Sequence, residues 1–237
     1  MTKIFCALDT QDMARAVSLA TLLSPLGIGI KLGLEYYMAN GPTGVQSIKN
    51  ACPNSPIFLD LKFHDIPNTV AQAVRAVTKL GVDYINLHAS GGPAMMRMAQ
   101  EAMMEEAAKL NLPCPKLLAV TILTSLNDDD LAKVGQVEGS SAQVMRLARL
   151  THDCGLAGIV CSAHEIAMVR AQLSHDFVLM VPGIRPPTNS ATQDDQKRTM
   201  TPAQALDLGA THLVIGRPIT GAEDPLLAAQ EILQTCS

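Results

Sequence analysis

The feature that most constrains this chain is an alternation. Eight short apolar runs, Ile4–Leu8, Ile28–Leu32, Ile57–Leu61, Tyr84–Leu87, Leu117–Leu123, Gly158–Cys161, Val178–Val181 and His212–Ile215, are separated by longer segments with helical patterning. The runs are continuously hydrophobic rather than alternating, which suits strands buried on both faces of a parallel sheet. Between them, Val70, Ala73, Val74, Val77 and Leu80 share one helical face, and Gly81 is a natural stop. Ser162 with Glu165 and Thr201 with Gln204 have the spacing of capping boxes, with Pro202 at a first helical position. Ser140 or Ser141 is expected to cap the helix that carries Val144, Leu147 and Leu150.

Eight strand–helix units in a row have two usual solutions, a closed barrel or an open doubly wound sheet. The 237 residues lie near the roughly 250 of a (β/α)₈ barrel. No composition shift or linker interrupts the series. The expected architecture is therefore α/β, a (β/α)₈ TIM barrel, with one domain over residues 1–237. The longest irregular stretch, Pro186–Arg198, is polar and follows the seventh run. In a barrel it falls at the C-terminal face, where catalytic loops gather.

Charge and composition exclude several classes. The formal net charge is −4 and aromatic residues are 3% of the chain, so nothing points to a nucleic-acid surface, which would need a basic stripe or stacking aromatics. An anionic ligand must be held by a local positive pocket. Cys6, Cys52, Cys114, Cys154, Cys161 and Cys236 are scattered, without metal-site spacing, and several sit in apolar runs. They read as reduced thiols used as small hydrophobes. The amino-terminal apolar run is too short for a signal segment, and no stretch approaches the roughly 18 apolar residues of a membrane span. The expected location is the cytoplasm.

Ionisable residues cluster where the apolar runs end. Asp9, Lys31, Asp60 with Lys62, His88, Thr124, Arg185 and Arg217 stand at or just beyond strand ends one, two, three, four, five, seven and eight. A barrel brings these ends to one mouth. Asp9 or His88 alone reads as an ordinary solvated cap; the ring of polar residues does not. The densest segment is Asp60-Leu61-Lys62-Phe63-His64-Asp65-Ile66-Pro67-Asn68-Thr69. Strand periodicity points Asp60 and Lys62 to one side. A carboxylate beside an ammonium keeps it protonated, fit to donate a proton or to stabilise developing negative charge. A bare Asp-x-Lys would be an ordinary ion pair; the extended pattern is far more specific. His64 and His88 read as hydrogen-bonded structural support.

A second cluster suits phosphate. Val181-Pro182-Gly183-Ile184-Arg185 and Val214-Ile215-Gly216-Arg217-Pro218-Ile219 follow the seventh and eighth runs, the recurrent phosphate loops of these barrels. Gly216 admits close backbone approach and Arg217 offers a planar fork of donors.

Those two clusters, with Ala7-Leu8-Asp9, Ile30-Lys31-Leu32-Gly33, Asn86-Leu87-His88-Ala89-Ser90-Gly91-Gly92 and Leu123-Thr124-Ser125, resemble the orotidine 5′-phosphate decarboxylase family of bacterial type, from Ala7 to past Pro218. The resemblance implies decarboxylation of orotidine 5′-phosphate to UMP, the last step of de novo pyrimidine synthesis, with no cofactor and no metal. It implies Lys62 as proton donor to C6, Asp60 beside the departing carboxylate, and Asp65 and Thr69 supplied by the partner of a homodimer. It implies Asp9 and Lys31 at the ribose and Thr124 at the pyrimidine. Gly216 and Arg217 would take the phosphate, and Arg185 and Gln196 would lie on a closing loop.

Three other readings remain open on residues alone. A metal-dependent sugar-phosphate decarboxylase or aldolase shares the Asp-x-Lys-x-x-Asp core but needs further carboxylates in the mouth. Glu35 is the nearest, and its position places it on a helix. A phosphate-sugar epimerase needs a metal-binding histidine set that His88 alone does not supply. A nucleotide-binding barrel without chemistry would have no use for an intact Asp60, Lys62 and Asp65.

Overall fold

The computed structural model describes residues 2–185 and 200–236. Eight parallel strands close into a barrel in sequence order: β1 (Ile4–Ala7), β2 (Gly29–Gly33), β3 (Ile57–Phe63), β4 (Tyr84–His88), β5 (Lys116–Val120), β6 (Gly158–Val160), β7 (Val178–Pro182) and β8 (His212–Ile215). The barrel shuts where β1 pairs with β8, with Phe5 opposite Val214. Helices α1 (Met13–Leu23), α2 (Leu34–Ala51), α3 (Pro67–Thr78), α4 (Gly92–Leu110), α5 (Asp128–Lys133), α6 (Ser140–Asp153), α7 (Ile166–Arg170), α8 (Pro202–Asp207), α9 (Arg217–Thr220) and α10 (Pro225–Gln234) occupy the connections and the carboxyl-terminal segment. Every strand expected from the apolar runs is present. The fifth is shorter than its run: β5 ends at Val120, and Thr121–Thr124 leave the sheet towards the mouth.

The continuous hydrophobicity of the strands has two destinations. One set of side chains, including Ile4, Cys6, Ile30, Leu59, Ile85 and Leu179, packs outwards under the helices. The other, including Phe5, Phe58, Tyr84, Leu118, Met180 and Val214, fills the barrel interior. Phe5, Phe58, Tyr84 and His212 meet there edge to face, with ring centroids 5.2–6.4 Å apart. Gly29 makes room for the Phe5 ring: a Cβ there would lie 2.5 Å from it. His212 Nδ1 lies 2.8 Å from the Thr2 carbonyl, which can only accept. Nδ1 therefore carries the proton, and Nε2 accepts from the Tyr84 hydroxyl at 2.9 Å. With the lower axis filled by apolar groups, the polar residues are left at the C-terminal mouth.

Local signals hold for most helices. The Ser162–Glu165 and Thr201–Gln204 capping boxes are both formed, with Pro202 in the first turn. The first turn of α6 differs from expectation. Its N-cap is Gly139, and neither Ser140 nor Ser141 caps it. The Ser140 amide instead donates to Asp128 Oδ1 at 2.9 Å. A carboxylate from the preceding helix thus supplies the acceptor that a local serine would otherwise have offered. Six free cysteines are present, and only Cys114 is exposed. Among the described residues no helix is long and apolar enough to cross a membrane.

Candidate active site

At the C-terminal mouth a cavity of about 280 Å³ opens between the strand ends. Its walls divide by chemistry. Ala7, Phe58, Val120, Val160 and Val214 form an apolar floor. Asp9, Lys31, Asp60 and Lys62 give it a charged flank from the β1–β3 side, Arg185, Gly216 and Arg217 line it after β7 and β8, and Thr124 lines it after β5. The closed barrel thus brings together residues from strand ends one, two, three, five, seven and eight, as their sequence positions imply.

The charged flank is an alternating array. Asp60 lies at the middle of β3, between Leu59 and Leu61, and its side chain is 11% exposed. Its Oδ2 is 3.3 Å from Lys31 Nζ, and its Oδ1 is 2.6 Å from Lys62 Nζ. Lys31 reaches on to Asp9 Oδ1 at 3.2 Å. Burial pushes the Asp60 carboxyl upwards, but Lys31, Lys62 and the hydrogen bonds from Lys62 and Asn86 outweigh it and hold its pKa below the ordinary value. Burial likewise acts against the Lys31 ammonium, while Asp60 and Asp9 raise its pKa above the ordinary value. Both groups are therefore ionised at neutral pH.

Lys62 departs from the regular strand assumed in the sequence reading. Its φ is +52°, one of two positive values outside glycine among the described residues. A left-handed lysine costs roughly 1–2 kcal/mol, and such strain persists only where surrounding contacts impose it. The contact that sequence reasoning missed is Asn86. Its Oδ1 accepts the Lys62 backbone N–H at 2.8 Å, and its Nδ2 donates to Asp60 Oδ1 at 2.7 Å. The available signal was a polar amide in the middle of the apolar run Tyr84–Leu87, which the structure buries completely.

The phosphate-like flank combines Gly216, at the start of α9, with Arg217 and Arg185. Burial and the positive charge of Arg217 both lower the pKa of Arg185. Two guanidiniums facing one space repel, and a bound anion relieves that repulsion. The Arg185 amide donates to the Met200 carbonyl at 3.1 Å, which joins the chain on either side of residues 186–199. Gln196 lies outside the described residues.

Asp65 and Thr69 do not join this cavity. Both are exposed, on the loop after β3 and in the first turn of α3. Asp65 Oδ1 accepts the Ile66 amide at 2.6 Å. Glu35 is exposed in the first turn of α2 and adds no carboxylate to the mouth. Among the described residues no three His, Cys, Asp or Glu side chains gather as a metal-ligand set. His64 and His88 pack ring on ring with centroids 5.3 Å apart. Burial, His64 and Lys62 keep the pKa of His88 below the ordinary histidine value, against the pull of Asp60.

Known proteins match the chain over nearly its whole length. The model of the "Orotidine 5′-phosphate decarboxylase / HUMPS" family matches residues 2–232. The chain is 52% identical over 229 residues to the orotidine 5′-phosphate decarboxylase of Rhodospirillum rubrum, covering 97% of this chain and 92% of that one. It is 48% identical over 231 residues to the enzyme of the same name from Moorella thermoacetica, covering 97% and 90%. The crystal structure of orotidine 5′-phosphate decarboxylase from Lactobacillus acidophilus superposes with a TM-score of 0.86 at 32% identity, covering 100% of both chains. The match runs over nearly the full length: the chain belongs to the orotidine 5′-phosphate decarboxylase / HUMPS family.

Proposed function

We propose that this chain decarboxylates orotidine 5′-phosphate to UMP and CO₂, the last step of pyrimidine nucleotide synthesis, without cofactor or metal. The observation that carries the reading is the buried Asp60 carboxylate held between Lys31 and Lys62 at 3.3 and 2.6 Å. The relatives that bear the decarboxylase name match nearly the whole chain.

In this reading the phosphate lies against Gly216, Arg217 and Arg185, the ribose against Asp9 and Lys31, and the pyrimidine beside Thr124. Gln196 is a further ligand contact that the family resemblance implies. The substrate carboxylate sits next to Asp60. The bond from C6 to the carboxylate breaks heterolytically, CO₂ leaves, and the electron pair stays on C6. No ring position delocalises that pair well, so the site must stabilise it electrostatically. The Lys62 ammonium is already held at the place where charge develops and needs no reorganisation. It then transfers a proton to C6 and is reprotonated from solvent. Phosphate contacts far from C6 supply binding energy that aligns the ring.

The active form in this reading is a homodimer in the cytoplasm. Asp65 and Thr69 of each subunit reach the partner's cavity and extend the array to Lys31, Asp60, Lys62 and the second aspartate. Ile66 between them is 67% exposed, a placement that a covering subunit would explain. The free, largely buried thiols suit a reducing compartment.

The test is the ultraviolet absorbance of purified protein mixed with orotidine 5′-phosphate in EDTA. Conversion to UMP is expected. A folded dimer that leaves the substrate unchanged overturns the reading, and turnover that EDTA abolishes returns it to the metal-dependent sugar-phosphate chemistry.

A further inference from the structure

We propose that Asn86 is a positioning residue that sets Lys62 and Asp60 for the reaction through the two ends of one buried amide. The inference rests on the decarboxylase reading for its kinetic consequences, but its geometry stands apart from it.

The β3–β4 ladder loses its register at this point. Leu59 pairs with Ile85 and Phe63 with Leu87, so Asp60, Leu61 and Lys62 together stand opposite Asn86 alone. Such an irregularity frees backbone groups and re-aims side chains. The Lys62 amide finds its acceptor in Asn86 Oδ1 at 2.8 Å, in the left-handed turn of the chain at φ +52°. The opposite end, Nδ2, donates at 2.7 Å to Asp60 Oδ1, the same oxygen that meets Lys62 Nζ at 2.6 Å. The orientation of the amide is forced: a backbone N–H can only donate, and an ionised carboxylate can only accept. The ring Asn86–Lys62 amide–Lys62 ammonium–Asp60–Asn86 therefore closes on itself. It couples the backbone twist that aims Lys62 to the carboxylate that receives it.

Asn86 itself has no exposure and does not line the cavity. It acts through Lys62 and Asp60 rather than on substrate. An apolar side chain of similar size would orphan the Lys62 amide and remove one of the bonds that fix the Asp60 oxygen. The groups facing Asp60 from its surroundings are Lys31 on β2, Lys62 on β3 and His88 on β4, with Asp9 beyond Lys31 and His64 beside His88.

Two variants test the inference. Asn86→Leu removes both bonds, and kcat is expected to fall about 100-fold, as a displacement of reacting groups by about 1 Å can cause. KM and UMP affinity should change far less. Asn86→Asp gives a carboxyl that, when protonated, donates to Asp60 and accepts from Lys62, but when ionised repels Asp60. Its kcat should therefore rise as pH falls through the introduced group's titration, which the neighbouring carboxylate displaces upwards. A merely structural residue would not invert the pH profile. Both variants keeping kcat within about threefold of wild type across pH would overturn the proposal. A crystal structure of Asn86→Asp at high pH, or of Asn86→Leu, decides independently of turnover. Lys62 moved off Asp60 supports the inference, and an unchanged 2.6 Å contact overturns it. Wild type inert towards orotidine 5′-phosphate would instead count against the decarboxylase reading and leave that structural comparison decisive.

Discussion

Lys31 Nζ sits 3.3 Å from Asp60 Oδ2, and each side chain is about nine-tenths buried. A pair removed from water to this degree gives up much of its hydration, and its attraction is correspondingly less screened. The pH consequence has a definite sign. Asp60 titrates below its ordinary 3.8, so its contribution to stability is complete above that value and is lost as pH falls through the lowered one. Lys31 titrates above its ordinary 10.5, so its contribution is complete below that value and is lost as pH rises through the raised one. Urea midpoints should show no transition from this pair between roughly pH 5 and pH 9. Lys31→Met should cost up to about 3 kcal/mol at neutral pH by removing the partner of Asp60 Oδ2 and leaving the carboxylate to Lys62 and Asn86. A denaturation series across pH for both proteins checks this; a variant as stable as wild type would mean that Lys62 alone satisfies Asp60.

Lys62→Ala separates binding from chemistry. The proposed phosphate flank around Arg217 and Gly216 is untouched, so UMP should still bind, as isothermal titration would report. In the proposed mechanism decarboxylation loses both the proton donor and the positive charge facing the developing carbanion. Either effect alone is worth about 10²–10⁴-fold, so kcat should fall by at least that much. Near-native turnover would remove Lys62 from its assigned role.

Asp65 lies outside the cavity of its own chain. If the partner supplies it, a site fails when either Lys62 of one subunit or Asp65 of the other is lost. Lys62→Ala and Asp65→Ala homodimers should each be nearly inactive. Refolding them together should restore activity, because a mixed dimer has one site with both residues intact. Absence of restoration in mixed dimers verified by mass spectrometry would mean that Asp65 acts within its own chain or not at all.

Gly33 ends β2 beside the ion pairs, and a Cβ there would lie 3.1 Å from Lys31 Nζ and 3.2 Å from Asp9 Oδ1. Its φ of −92° is open to any residue, so the constraint is space rather than backbone strain. Gly33→Ala should push these two side chains by a few tenths of an ångström. kcat/KM should fall about tenfold, with thermal stability nearly unchanged, since the cost falls on alignment. Unaltered kinetics would mean that the Lys31–Asp9 pair moves aside freely.

Strand count, the double-faced burial of the sheet and the candidate polar residues at its mouth were all legible in the sequence, because hydrophobic runs and helix periods are local properties. Their convergence followed once the barrel was assumed, since a closed parallel barrel has one C-terminal face. Local pattern misled where the chain leaves regular structure. The run Leu117–Leu123 is apolar apart from Thr121, yet β5 stops at Val120 because the following residues turn into the site. Ser140 has the chemistry of a cap, yet Asp128 from α5 supplies the acceptor.

The sequence by itself determined which residues carry charge and on which strand ends they stand. Only the tertiary structure decided how Lys62 is aimed. Asn86 and Asp60 are 26 positions apart, and no periodicity along the chain links them. Their contact depends on the β3–β4 register, and that register breaks between Leu59 and Phe63. Inter-strand hydrogen bonding, rather than the pattern of either strand, therefore fixes the left-handed turn at Lys62 and the 2.6 Å contact it makes with Asp60.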